Sequence, residues 1–154
     1  MIVGIDPGAS GALAFFDVGR GFLFVEDMPV LEVARNGKTK REISPQLLRS
    51  LFDKYEPRRA VIEKVGAMPG QGVSSMFQFG RSVGLVEGVL AGLNVPTGSV
   101  TPQQWQKAAG VRGGKDGGRM RAVELFPAYA QLSSRKKDDG RADAALIAWW
   151  GATQ

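Results

Sequence analysis

A short apolar run that ends in an acid, residues 2–6 with the sequence Ile-Val-Gly-Ile-Asp, constrains the fold more than any other feature. A cluster of turn-forming residues follows at positions 7–11, so the chain must change direction directly after Asp6. Residues 12–17 and 22–28 are apolar and flank a glycine-rich turn, which predicts a β-hairpin. Three strands with an antiparallel start are therefore predicted.

The rest of the chain alternates between predicted helices and strands. Ser44 followed by Pro45, and Thr101 followed by Gln104, are typical of helix starts. We predict strands at 60–63 and 95–100, helices from 44, at 74–93, from 101, at 119–126 and from 138 or 139 to 150, and polar or glycine-rich loops at 35–41, 66–72 and 110–118. This order predicts one α/β domain, residues 1–154, with a mixed sheet.

The chain contains no cysteine and no histidine. Disulfides, thiolate nucleophiles, Cys/His zinc sites and imidazole bases are thereby excluded, and any bound metal must be held by oxygen, which favours Mg²⁺ or Mn²⁺. No apolar run approaches the ~18 residues of a membrane span, and no secretory signal is recognisable, so a cytoplasmic location is expected. The net charge of +5 is a weak indication of a polyanionic partner.

Four carboxylates stand out. Asp6 and Glu63 each end an apolar strand, and adjacent strands would bring both acids to one edge of the sheet, where open α/β sheets bind ligands. Asp139 and Asp143 are four residues apart and share one helix face, with alanines, leucine and isoleucine around Asp143. The alternatives are that the first two are simply the first polar residues after their strands, and that the helix start merely favours acids.

Several segments together resemble the RuvC-type Holliday junction resolvases of the RNase H-like superfamily, particularly the phage and prophage branch. They are Ile2 to Gly8 with Ser10-Gly11, Val61 to Val65, Phe77 to Arg81, Glu124 to Pro127, and Asp139 to Ala148. The resemblance implies an RNase H-like fold with a five-stranded mixed sheet flanked by helices. It also implies a homodimer and a crossover junction endodeoxyribonuclease that cuts four-way DNA junctions with two Mg²⁺ ions per site, for which Mn²⁺ can substitute.

The resemblance assigns the first catalytic and metal-binding acid to Asp6, the second to Glu63 and the last to Asp143. The penultimate ligand of much of the family lies three residues before the last, and that position holds Gly140 here. We therefore assign the role to Asp139, with Asp138 as the alternative.

Basic and aromatic residues are candidates for DNA contacts. Lys64 is next to Glu63, and Lys115 and Arg119 lie in and after a glycine-rich loop that lacks the pattern of a Walker A motif. Phe77 and Phe79 could stack on an unpaired base. The alternatives are solvated charges for the basic residues and core packing for the aromatic ones.

Glycines at positions 80, 84, 88 and 92 recur every four residues within a predicted helix. Each costs up to ~1 kcal/mol relative to alanine, so close approach of another element is expected. That element is either another part of the monomer or the same helix of a second copy, and we predict a dimer.

The predicted function is metal-dependent resolution of four-way or other branched DNA in a bacterial cell, with a phage or prophage gene as a possible origin. One alternative is a catalytically silent module for branched-DNA binding or assembly, and another is a nuclease for flaps, forks or RNA–DNA hybrids. The Asp6 to Gly11 segment also resembles the phosphate loop of sugar kinases and actin-like ATPases, but those need two such subdomains, for which 154 residues do not suffice.

Overall fold

Seven strands and five α-helices form in the described part of the chain, which is residues 1–35, 37–66, 70 and 72–154 of a computed structural model, with Arg35 described by its backbone alone. The strands are β1 (Ile2–Ile5), β2 (Ala12–Asp17), β3 (Phe22–Asp27), β4 (Val30–Arg35), β5 (Lys38–Ile43), β6 (Arg59–Glu63) and β7 (Thr97–Val100). The helices are α1 (Pro45–Tyr55), α2 (Val73–Gly92), α3 (Pro102–Ala109), α4 (Gly117–Leu125) and α5 (Asp139–Ala152). Short 3₁₀ segments cover Gly114–Asp116, Pro127–Leu132 and Lys136–Asp138.

Five strands form one mixed sheet in the order β3-β2-β1-β6-β7. The first three pair antiparallel, whereas β6 runs parallel to β1, and β7 runs parallel to β6. Helices cover both faces, which confirms the predicted α/β class and five-stranded sheet. The pairing also confirms the early hairpin.

The helix starts follow the predicted capping chemistry. The Ser44 hydroxyl accepts the Leu47 N–H at the start of α1, with Pro45 in the first helical position. Thr101 and Gln104 form the predicted capping box at the start of α3. These local bonds satisfy backbone N–H groups that a helix leaves without intrahelical partners.

The two faces of the sheet bury different kinds of side chain. Val3 and Ile5 of β1 pack with residues of α1 and α2, such as Phe52 and Leu90, in one apolar cluster. The opposite face packs against α5, whose alanines let the helix lie close to the sheet. A Cβ at Gly4 would lie 2.2 Å from the Ala148 nitrogen, so only glycine fits where α5 crosses β1.

The predicted basic loop at 35–41 is wrong, because this segment contributes to a second, two-stranded sheet of β4 and β5. The missed signal is the Asn-Gly pair at 36–37, the favoured sequence for a two-residue hairpin turn. Gly37 has a φ of 72°, which glycine adopts without steric cost. The segment contains many charged residues and little of the apolar alternation that usually indicates a strand.

The other predicted elements are present, and their ends shift by at most two residues. In the predicted 110–118 loop, a 3₁₀ turn forms at Gly114–Asp116, and α4 begins at Gly117. Positions 67–69 and 71 of the predicted 66–72 loop lie outside the described residues. No helix in the described ranges combines the length and the apolar character needed to cross a membrane.

Candidate active site

The ends of β1 and β6 bring Asp6 and Glu63 to the same edge and face of the sheet. Ile5 pairs with Ile62 in the parallel register, so the two acids follow at equivalent positions. Side chains alternate between faces along a strand, and the preceding Gly4 and Val61 both face α5. Asp6 and Glu63 therefore project towards the helix that carries Asp143.

Burial raises the pKa of Asp6 to about 6. An N–H from Gly8 opposes this shift, and the nearby charge of Glu63 adds to it. The turn after β1 closes tightly around the residue, because a Cβ at Gly11 would lie 2.2 Å from the Asp6 carbonyl oxygen. The turn cluster recognised in the sequence thus fixes the Asp6 backbone.

Asp143 lies one turn into α5 and has the most strongly shifted carboxyl of the site. Burial above all, together with the charges of Asp6, Glu63 and Asp139, raises its pKa from 3.8 to about 7. Charge effects of this kind act over short distances, so Asp143 lies near the other three acids. Asp6, Glu63 and Asp143 are thus found at the same edge of the sheet, with Asp139 one turn before Asp143 on α5.

The side chain of Glu63 is held by Trp105 of α3. The Trp105 indole N–H donates to Glu63 Oε1 over 2.8 Å. Burial raises the pKa of Glu63, and this hydrogen bond opposes the rise. Trp105 is 1% exposed, so it belongs to the core, and it also orients an acid of the site. This hydrogen bond joins α3 to the end of β6, so only the tertiary structure reveals that Trp105 orients Glu63.

Asp139 takes part in the site less directly than the other three acids. Its Oδ1 lies 2.8 Å from Arg119 Nε, although that N–H is not aligned for a hydrogen bond. Arg119 also pairs with Asp116. Among the described residues, no three acids lie close enough together to form a metal-binding group. The ion pair of the Asp139 carboxylate with Arg119 is consistent with this finding.

Asp138, the alternative fourth ligand, is engaged elsewhere. It is 2% exposed and accepts hydrogen bonds from the Arg135 backbone and guanidinium at 2.9–3.0 Å. These contacts hold the pKa of Asp138 below its usual range. Arg141 binds Asp27 through two 2.6 Å contacts and lies 3.9 Å from Asp138. This cluster fixes the start of α5, and the geometry favours Asp139 as the fourth acid.

Gly140 occupies the position where much of the resembled family has its penultimate ligand. A Cβ there would lie 2.9 Å from Asp6 Oδ2, 2.9 Å from Gly11 Cα and 3.0 Å from the Ser10 carbonyl oxygen. The position faces the site, but the turn after β1 fills the space that a side chain would need. A carboxylate at 139 is thus compatible with this packing, whereas one at 140 is not.

The candidate DNA-contact residues have different surroundings. Lys115 is exposed and lines a cavity of about 240 Å³ together with Arg119, Asp139 and Asp143. Arg119 is only 12% exposed and forms ion pairs, so it is not a freely solvated charge. Lys64 is exposed beside Glu63.

The predicted aromatic contacts lie in the first two turns of α2. Phe77 is 73% exposed, so the alternative of a core position is wrong for this residue. Phe79 is partly buried and lines a separate cavity beside α2. The predicted roles of all five candidates in DNA binding remain predictions.

The four glycines of α2 form an open row. A Cβ at each of them would meet no atom of the described residues within 4 Å, and all four are exposed. The alternative that they pack within the monomer is therefore wrong. Val73 and Phe77, 87% and 73% exposed, extend the same helix face towards its start.

The donor set fits a divalent cation. All candidate ligands are carboxylates, the oxygen donors that Mg²⁺ and Mn²⁺ prefer. Two of them, Asp6 and Asp143, are partly buried, and this burial together with nearby negative charge raises their pKa values to about 6 and about 7. Their individual roles as ligands remain predictions.

The fold matches that of Thermus thermophilus RuvC in complex with a Holliday junction substrate, with a TM-score of 0.62 and 18% identity. The match covers 98% of this chain and 92% of that one. The yeast mitochondrial Holliday junction resolvase Ydc2 matches with a TM-score of 0.52 and 19% identity, over 96% of this chain and 75% of that one. At these identities the likeness establishes the fold.

Sequence comparison adds evidence of common descent. The chloroplastic Holliday junction resolvase MOC1 of Chlamydomonas reinhardtii is 30% identical over 159 aligned positions, covering 87% of this chain. The chain is a Holliday junction resolvase homologue with the RuvC fold. It spans only 18% of the MOC1 length, and no protein-family model matches it. Assignment of this RuvC-fold chain to a phage or prophage branch remains a prediction.

Proposed function

We propose that the chain is a metal-dependent endonuclease that resolves four-way or other branched DNA junctions. The observation that carries this proposal is the placement of Asp6, Glu63 and Asp143 at one edge of the sheet of a RuvC fold. Burial, together with the charges of Asp6, Glu63 and Asp139, raises the pKa of Asp143 to about 7. Homology to MOC1, whose name describes a Holliday junction resolvase, supports branched DNA as the substrate.

Two Mg²⁺ ions would be held by Asp6, Glu63 and Asp143, with Asp139 as the fourth ligand, and Mn²⁺ can substitute for Mg²⁺. The bound ions would supply an activated water and stabilise the leaving oxygen. The protein's own part is positioning. Trp105 orients Glu63, and the turn after β1 fixes Asp6. Lys115, on the rim of the cavity that contains Asp139 and Asp143, is suited to contact a DNA phosphate.

A homodimer is part of the proposal. The open glycine row of α2 would let the same helix of a second copy approach closely, and its apolar start adds Val73 and Phe77. Paired active sites related by two-fold symmetry suit paired cuts across a four-way junction. A cytoplasmic location is proposed only from sequence, and the chloroplastic MOC1 shows that relatives act in other compartments.

The test is cleavage of labelled four-way junction, flap, fork, RNA–DNA hybrid and linear duplex, each with Mg²⁺ or with EDTA. We expect Mg²⁺-dependent cutting of the junction. Asp6→Asn should abolish cutting and leave binding largely intact, whereas Asp53→Asn, which removes an exposed acid of α1, should cut normally. Full activity of Asp6→Asn would refute the site, and preferential cutting of another substrate would reassign the specificity.

A silent DNA-binding module is the second candidate, because Arg119 pairs with Asp139 and Gly140 lacks a side chain. Tight junction binding without any cutting in Mg²⁺ or Mn²⁺ would select this function. Turnover of ATP would instead revive the kinase-like alternative.

A further inference from the structure

The β4–β5 hairpin, Val30–Arg35 with Lys38–Ile43, forms a basic surface that the proposed chemistry does not use. Lys38, Lys40 and Arg41 of β5 are all exposed. Such a concentration of exposed positive charge needs either solvent or a polyanion.

The hairpin reaches the rim of the candidate active site. Arg41 Nη1 lies 3.5 Å from Ser10 Oγ. Ser10 belongs to the turn that directly follows Asp6, and its carbonyl oxygen packs beside Gly140. A strand of DNA whose phosphate lies at Asp6 would therefore pass next to Arg41.

The base of the hairpin is firmly anchored. Ile43 is 6% exposed in the core, and the Ser44 N–H donates to the Pro29 carbonyl over 2.9 Å. On the neighbouring helix, Arg81 Nη1 contacts Glu42 Oε2 at 2.9 Å and compensates the negative charge of this strand residue. The cations are thus presented on a fixed element.

A cleft of about 360 Å³ separates the hairpin from the first turns of α2. Its described lining consists of two cations, three serines, a glutamine and two apolar residues, and contains no carboxylate: Lys40, Arg41, Ser74, Ser75, Ser82, Gln78, Ala9 and Phe79. Guanidinium, ammonium and hydroxyl groups are the side chains that most often bind phosphate oxygens.

We propose that this cleft binds the sugar–phosphate backbone of the DNA arm next to the scissile phosphate, with Lys40 and Arg41 as its main contacts. The inference rests on the proposed function and adds to it a second phosphate-binding element outside the carboxylate site. Charge complementarity favours a nucleic-acid backbone as occupant. Glu32, paired opposite Arg41 in the hairpin, is the acid that this positive surface must outweigh.

The test compares the double variant Lys40→Ala/Arg41→Ala with the control Arg20→Ala/Arg58→Ala. The control removes the same charge from exposed positions at the opposite end of the sheet, beside Ile2 and Phe16. Binding to a labelled four-way junction is measured in EDTA from 50 to 200 mM salt. In Lys40→Ala/Arg41→Ala, loss of two phosphate contacts should lower the slope of log Kd against log salt by about 1.8. The slope of the control variant should be closer to that of the wild type. Thermal melts establish that both variants are folded.

The outcomes separate the two claims. If the wild-type protein binds no branched DNA, the proposed function fails and the inference fails with it. If the wild type binds and Lys40→Ala/Arg41→Ala has the same Kd and salt slope as the control, the inference is overturned while the function stands. A reduced slope confined to the hairpin variant supports the cleft as a backbone site.

Discussion

Asp143 should destabilise the metal-free protein at neutral and alkaline pH. Its pKa is raised from 3.8 to about 7 in the folded protein, so the folded state holds a proton that the unfolded state has lost between these two values. The free energy of unfolding therefore falls by about 1.4 kcal/mol per pH unit in this interval. From pH 5 to pH 8 this single group should cost about 3 kcal/mol.

Asp143→Asn isolates this contribution, because asparagine resembles the protonated acid in shape and does not titrate. Urea unfolding of both proteins in EDTA at pH 5, 6, 7 and 8 should show a stability advantage of the variant that grows by about 3 kcal/mol over the range. Asp53→Asn, an exposed position on α1, should show almost no such trend. Carboxyls outside the site titrate equally in the wild type and the variant, so they cancel in the difference, whereas the acids beside Asp143 also lose its repulsion in the variant.

Metal ions should reverse the effect if these acids are ligands. At pH 8, Mg²⁺ should raise the free energy of unfolding of the wild type and leave Asp143→Asn much less affected, because a bound ion stabilises only the folded state. A stability difference that does not change with pH would refute the argument that Asp143 is a buried, repelled carboxyl. A stability advantage of Asp143→Asn that grows towards low pH would show that the predicted sign of the pH dependence is wrong.

Three further predictions test other parts of the site. Trp105→Phe removes the donor that favours ionised Glu63, so the acidic limb of the cleavage pH profile should move to higher pH, and an unchanged profile would contradict this role. Gly84→Arg should halve the mass measured by light scattering, because it fills the open row of α2, and an unchanged dimer mass would exclude this face. Gly4→Ala should cost about 1–3 kcal/mol in urea unfolding through its clash with Ala148, whereas Gly19→Ala, with only a 3.6 Å contact to Asp17, should cost much less.

The acids were predictable because strand ends and helix spacing are encoded locally. Ile2 to Asp6 could form only a buried strand with an acid at its end, and the i, i+4 spacing placed Asp139 and Asp143 on one helix face. The order of the elements predicted a mixed sheet, and the resemblance to a known family supplied its five-stranded, RNase H-like form. No local pattern states that β6 pairs parallel to β1.

Long-range contacts account for what the sequence did not reveal. The hydrogen bond from Trp105 to Glu63 joins residues 42 positions apart, and the contact of Arg41 with Ser10 joins residues 31 apart. The β4–β5 hairpin was missed for a different reason. Its Asn-Gly turn is a local signal, but charged residues outweighed it in a segment with little apolar alternation.

The position of the fourth acid follows from how closely two backbone segments approach. The turn after β1 must wrap tightly around Asp6, and Gly11 and Ser10 then press against the first turn of α5 at Gly140. A side chain at 140 would collide with backbone atoms, which cannot move away without displacing Asp6. An acid one residue earlier avoids the collision but lies further from the buried carboxylates, where Arg119 can reach it. The same packing that fixes Asp6 thereby explains both the glycine at 140 and the ion pair at 139.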